Sequence, residues 1–181
     1  MIEVLAALSA SAAVGIRIAL PLLSLALLRG EALGSELPIL SIIHPSIKLA
    51  FLCSWSIIEL LASKHLLGQR WLQIIMLISS PIAGAFAATS SAKFLPIWII
   101  AILGGLFAFL LQSVQTAWFY RQQRFPLILV LAQDILSILL AFLAVKKPQI
   151  GGIISLSLFW WAIGSYQNSA KWYSKQKSRD R

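Results

Sequence analysis

Acid, cysteine and histidine are scarce in this chain. Of 181 residues, six are Asp or Glu, two are His and one is Cys. The lone Cys53 excludes an intrachain disulfide, and its place in an apolar run marks it as a packing residue. His44 and His65 lie near the ends of apolar runs, too far from Cys53 and from each other for metal-ligand spacing. No G-x-x-x-x-G-K-[ST], H-E-x-x-H or G-x-S-x-G occurs, and no row of regularly spaced arginines for voltage sensing. The expectation is a protein that is not an enzyme and holds no metal or cofactor.

Charge of either sign is also short, at 12% of residues; a soluble domain carries roughly 25%. Apolar residues make up 59%, and the mean hydropathy is +0.86. A globule of this size has too much surface for its volume to hide so many apolar side chains, so lipid must solvate much of the outside. The net charge is +9. In a soluble chain that would raise nucleic acid as a partner. Here the basic residues stand at the ends of apolar runs and in the tail, where they meet lipid headgroups, and no nucleic-acid partner is expected.

A bilayer core about 30 Å thick needs about 20 apolar residues per helix. Six runs qualify: Val4 to Leu28, Pro45 to about Ser63, Trp71 to Thr89, Leu95 to Tyr120, Pro126 to Val145, and about Ile150 to Ala170. The first run begins with Glu3 rather than a basic residue and is too long for a secretory signal, so it reads as a permanent membrane helix. The short apolar stretch Leu37 to Ile43 suits the interface. The fold class expected is all-α, a polytopic transmembrane helix bundle of about six spans over residues 1–170. A basic cytoplasmic tail, residues 171–181, extends from the last helix.

Six spans put both termini and the second and fourth connections on one face. That face holds Lys64, Arg70, Arg121, Arg124, Lys171, Lys175, Lys177, Arg179 and Arg181. The other holds Arg29, Lys48, Lys93, Lys146 and Lys147, with Arg17 left inside a helix. Nine basic residues against five predict that both termini are cytoplasmic. Trp71, Trp98, Trp118 and Trp172 fall near interfaces, as an aromatic belt does, whereas Trp55, Trp160 and Trp161 fall deeper and read as packing. An inverted repeat of three plus three spans is not supported: Pro21 and Pro81 in the first half have no counterpart in the second.

Three charges lie where lipid should be: Arg17, Glu59 and Asp134. Each is unfavourable at the bilayer centre by about 2.5–3.5 kcal/mol on insertion scales. Arg17 is near the middle of the first run. Asp134 is eight residues into the fifth, roughly 12 Å from its edge at 1.5 Å per residue. Gln112 reaches a similar depth, and Gln133 and Ser137 flank Asp134. The plainest arrangement pairs Arg17 with Asp134, with Gln112 satisfying remaining donors and Glu59 either joining Arg17 or pairing with Lys64. Pro21 frees the carbonyl of Arg17 and Pro81 that of Leu77, so both mark helix kinks. This cluster is either a polar site in the bundle or a buried ion pair that fixes helix register. Small residues four apart, Ala7/Ser11/Gly15, Gly84/Ala88 and Gly104/Ala108, let helix backbones approach closely.

Four stretches together carry a resemblance. "GIRIALPLL" (Gly15 to Leu23) resembles a G-[LI]-R-x-x-x-P element, and "IIELLASK" (Ile57 to Lys64) an acidic element followed by D-K. "SSPIAGAF" (Ser79 to Phe86) is similar to an R-P-x-x-G element, and "LAQDILSILLAFLAVKKP" (Leu131 to Pro148) to an A-E-D element with its following helix. In this order the elements belong to a family of bacterial membrane proteins, domain of unknown function 4126, and the likeness covers nearly the whole chain. The resemblance implies a helical membrane fold, a bacterial inner (cell) membrane or another internal bacterial membrane, and no known activity. Ser80, Gln133 and Ser63 stand where the family tends to have Arg, Glu and Asp, so any charge network is thinned here.

Two functions remain. One is a small transporter or channel-like protein around the polar cluster, in a homo-oligomer. The other is a non-catalytic scaffold or assembly factor binding other membrane proteins through its small-residue faces, its basic tail on anionic headgroups of the lipid bilayer or on a partner. A water-accessible cavity reaching Arg17 or Asp134 favours the first; a dry, packed ion pair favours the second.

Overall fold

The computed structural model describes residues 2–29, 44–62, 66–91, 96–122 and 127–179, and all seven of their elements are α-helices. These are α1 (Ile2–Ile16), α2 (Ala19–Arg29), α3 (Pro45–Ala62), α4 (Leu66–Ser91), α5 (Ile97–Gln122), α6 (Leu127–Lys146) and α7 (Pro148–Arg179). Prolines open α3 and α7, where a missing N–H leaves no bond unmade. Only Lys147 separates α6 from α7. Its N–H still donates to Leu143 (2.9 Å) while its carbonyl already accepts from Ile150 (3.1 Å). The stretch 37–43, the side chains of Lys64, Arg121 and Arg124 and those of the tail lie outside the described residues; the backbone of α7 continues as helix to Arg179.

Three helical segments are long and apolar enough to cross a membrane: Gly68–Ser91, Ile97–Phe119 and Ile128–Lys146. Their outward surfaces are apolar, with Ile82, Trp98 and Ile128 among the most exposed side chains. Trp160, Trp161 and Cys53 face outward, against the packing roles expected for them. The apolar content of their runs is what conceals this. In lipid both faces of a helix are apolar, so composition no longer separates inside from outside.

The first run is not one helix. It breaks at Arg17 and Ile18 into α1 and α2. Among the described residues α1 packs against α4, α5, α6 and α7, and is buried from Ala6 to Ile16 apart from Leu8. It can sit there because its side chains are small. A Cβ on Gly15 would lie 2.9 Å from the Ala108 backbone, and one on Gly104 would strike Ala88 Cβ and lie 2.7 Å from Ser11 Oγ. The spaced small residues are therefore the seams of α1, α4 and α5. Ser11 donates to its own helix at Ala7 (2.7 Å) and lies 3.3 Å from the Gly84 carbonyl on α4, so its hydroxyl adds no unpaired donor to the seam.

Contacts fix the direction of α1. Ser9 Oγ donates to the Leu140 carbonyl (2.9 Å), while Arg17, two turns on, meets Asp134. Ser11 lies at Gly84 while Arg17 shares a cavity with Gln73. So α1 runs antiparallel to α4 and α6. Against α5 and α7 it is parallel: Ser11 lies near Gly104 and Gly15 near Ala108, and Ser9 near Gly151 while Ile16 shares a pocket with Ala162. Six alternating spans would have made the first run parallel to α4 and α6. The pairing of side chains reverses that.

At the break, α2 leaves this ring and packs on α3 and α6. Ala19, its first residue, meets Glu59, three residues from the end of α3. With one helix starting and the other ending at this point, their contact can only extend antiparallel. The chain thus alternates direction from α1 to α7, and its first and last helices start from the same end of the bundle, so that α1 begins and α7 ends at opposite ends.

Candidate functional site: a charged cluster at the break in the first run

Arg17 stands between two acids. Its Nε lies 2.8 Å from Asp134 Oδ1 and its Nη1 3.5 Å from Glu59 Oε1. All three residues are buried, at 6%, 9% and 3% exposure. The other oxygen of Glu59, Oε2, accepts the Ala19 N–H at 3.2 Å. Glu59 thus caps the first turn of α2 from another helix, where the partial positive charge of a helix start, about half an elementary charge, favours a carboxylate. Pro21 is buried in this first turn, where it lacks only a donor that no helical bond would use. One Arg, one Glu and one Asp sum to a single formal negative charge. Three elements that do not follow one another, the α1–α2 break, α3 and α6, are tied at one point.

Arg17 follows the 15 residues of α1, about 22 Å of helix, and Asp134 is seven residues past Leu127, about 10 Å along the antiparallel α6.

Gln112 does not serve Arg17, as the sequence suggested. Its Nε2 donates to Gln73 Oε1 (3.1 Å), which also accepts from Thr116 Oγ1 (3.1 Å). Gln133 accepts from Gln115 Nε2 (3.0 Å) and, with Arg17, Gln69 and Gln73, lines a cavity of about 20 Å³. The glutamine side chains of α4, α5 and α6 thus gather between Arg17 and the end of the bundle where α4 and α6 begin. Gln69, Gln73, Gln115 and Thr116 escaped the sequence reading. Their signal was present, as amides four apart at Gln69 and Gln73 and three apart at Gln112 and Gln115, but their facing depends on helix direction. Lys64 lies outside the described residues.

Pro81 keeps α4 helical on both sides, and the Leu77 carbonyl that it frees lies 3.4 Å from the hydroxyl of buried Ser80. Ser80, where the family motif tends to carry Arg, is thus part of the helix's own repair. Among the described residues no group of three or more His, Cys, Asp or Glu could hold a metal ion.

No curated protein and no solved structure matches the chain. A family model described as a domain of unknown function, DUF4126, matches residues 4–168. That span takes in the broken first run, the capping Glu59, the repaired Pro81 turn and Asp134, and the chain belongs to this family of uncharacterised proteins.

Proposed function

We propose that the protein is a small proton-conducting or proton-coupled transporter, with Arg17, Glu59 and Asp134 as its proton-carrying group. The observation that carries this reading is the unbalanced charge of the cluster at a helix break. An uncompensated charge at membrane depth is unfavourable, and one proton is the smallest ion that balances it. The adjoining cavity of about 20 Å³ has room for about one water, which needs roughly 10–15 Å³ by the same measure, and for no larger solute. Discontinuous helices whose termini face polar groups are where many transporters hold their ions.

The sidedness that goes with this reading keeps nine basic residues on the end where α4 and α6 begin, and so makes that end cytoplasmic. The C-terminus and basic tail are then cytoplasmic, with the tail on anionic headgroups. The N-terminus lies on the opposite face, which replaces the expectation of two cytoplasmic ends. A bacterial inner membrane, five spans from α3 to α7 with α1 and α2 entering as a broken pair from the outer face, and assembly as a homo-oligomer complete the proposal.

The test is proton uptake into vesicles holding a pH-sensitive dye, driven by a potassium diffusion potential. Wild type should acidify the lumen; Asp134→Asn, Glu59→Gln and Arg17→Ala should not. Undiminished uptake by folded Asp134→Asn and Glu59→Gln would rule the site out.

The close packing of the cluster favours a second reading, in which it is a structural pin in a scaffold protein. The small-residue seams are used inside the bundle, so such a scaffold would have to bind partners through its bulky apolar outer faces. It should show no uptake in any variant.

A further inference from the structure

A second cavity, of about 250 Å³, opens sideways between α5, α6 and α7. Its wall is formed by aliphatic and Trp side chains, among them Leu111, Leu136 and Leu158, with Ile16 of α1 at the back. Trp118 and Trp161 meet edge to face across its rim, their ring centroids 5.9 Å apart. The outer side chains of α6 and α7 beside it, Ile128, Leu131 and Trp160, are exposed, so the mouth faces whatever bathes the apolar surface. An apolar cavity of about 150 Å³ stays dry and admits benzene. This larger one has no reason to fill with water when its mouth is in hydrocarbon.

Two polar groups interrupt the wall, and they are bonded to each other: Gln115 Nε2 to Gln133 Oε1 at 3.0 Å. Gln133 lines both this crevice and the small cavity at Arg17. The amide pair is therefore the partition between the lipid side and the charged cluster. An amide offers hydrogen bonds without charge. Behind it the cluster carries a formal negative charge, which repels an anionic headgroup and leaves a neutral one welcome.

We propose that this crevice binds a neutral single-chain amphiphile, its hydrocarbon tail in the apolar cavity and its hydroxyl-type head on the Gln115–Gln133 pair. The site takes the alkyl chain of a long-chain alcohol or a lipid with a similar uncharged head, entering from the bilayer. The proposal does not rest on proton transport, and its readout needs no flux.

The probe is dodecanol carrying an alkyl diazirine, photolysed with the full-length protein in vesicles and mapped by peptide mass spectrometry. Labelling should saturate, should concentrate on peptides holding Leu111–Trp118 and Leu129–Leu136, and should be displaced by plain dodecanol. Ala132→Trp, which fills the cavity from its exposed rim, should abolish that labelling, whereas Leu131→Trp on the outer flank should not. Gln115→Leu should weaken the alcohol by about three- to ten-fold, the worth of one hydrogen bond, without weakening a diazirine alkane of equal length. Labelling that is spread without saturation over the exposed faces of all helices, or that persists in folded Ala132→Trp, overturns the site. Equal labelling by the matching fatty acid carboxylate overturns the choice of a neutral head.

Discussion

Arg17 reaches Asp134 at 2.8 Å because α1 and α6 run antiparallel, with Ser9 bonded to the Leu140 carbonyl two turns away. The two contacts use the same pair of helices and set one register. Sliding α1 by one turn, about 5.4 Å, would break both. It would also drive Gly15 and Ser11 out of their seams with Ala108 and Gly84.

Removing the guanidinium should be worse than removing either acid. Arg17→Ala leaves Glu59 and Asp134 buried without their cation, and stranding a buried charge costs about 3–5 kcal/mol. Asp134→Asn leaves Arg17 with Glu59, and the loss should be smaller. Thermal unfolding in detergent, followed by circular dichroism, should rank wild type above Asp134→Asn above Arg17→Ala. An Arg17→Ala protein as stable as wild type would show that the cluster holds nothing in place.

The glycine seams give a contrast within one chemical change. A methyl on Gly104 meets Ala88 Cβ, Ser11 Oγ and the Gly84 carbonyl, so Gly104→Ala should destabilise by about 1–3 kcal/mol through overpacking. Gly164 has open space around its added Cβ, and Gly164→Ala should stabilise α7 by about 0.5–1 kcal/mol through backbone entropy alone. Denaturation midpoints of the two variants should move in opposite directions.

The glutamine network should show the asymmetry of buried hydrogen bonds. Gln73→Leu strands two donors, Gln112 Nε2 and Thr116 Oγ1, and should cost about 1–3 kcal/mol. Gln73→Leu with Gln112→Leu and Thr116→Val removes both sides of each bond and should recover most of that loss. A triple variant weaker than the single one by the sum of three separate losses would mean the groups do not act together.

Topology can be read by labelling single cysteines with an impermeant maleimide. Cys53 is exposed and is replaced by Ala first. A cysteine placed at Glu3 should label from outside intact cells, and one placed at Arg181 only after the membrane is opened. Labelling of both from the same side would contradict the parallel course of α1 and α7.

The charge cluster was legible in the sequence because charge in an apolar run stands out whatever the fold. Arg17, Glu59 and Asp134 were all visible that way, and Pro21 and the small residues that became the seams were visible by residue type. Gln73, Gln115 and Thr116 were not. An amide in a long apolar run is as often at a lipid-facing edge as in a core, and only a neighbour at bonding distance distinguishes them.

By itself, the sequence determined that the chain is helical and apolar enough to suit a membrane, and which few polar groups must find partners. Those follow from composition, since no packed globule of this size could hide so much apolar surface. Helix direction was beyond it. The run Val4 to Leu28 is long enough to cross once, and nothing in its hydropathy says that it breaks at Arg17 and turns back. Drawn as one span from the cytoplasmic face, it sets Arg17 about 12 Å deeper than Asp134. The tertiary structure removes that mismatch by bringing α1 in from the opposite end. What decides this is side-chain pairing between distant segments: Ser9 with Leu140, Ala19 with Glu59, Arg17 with Asp134.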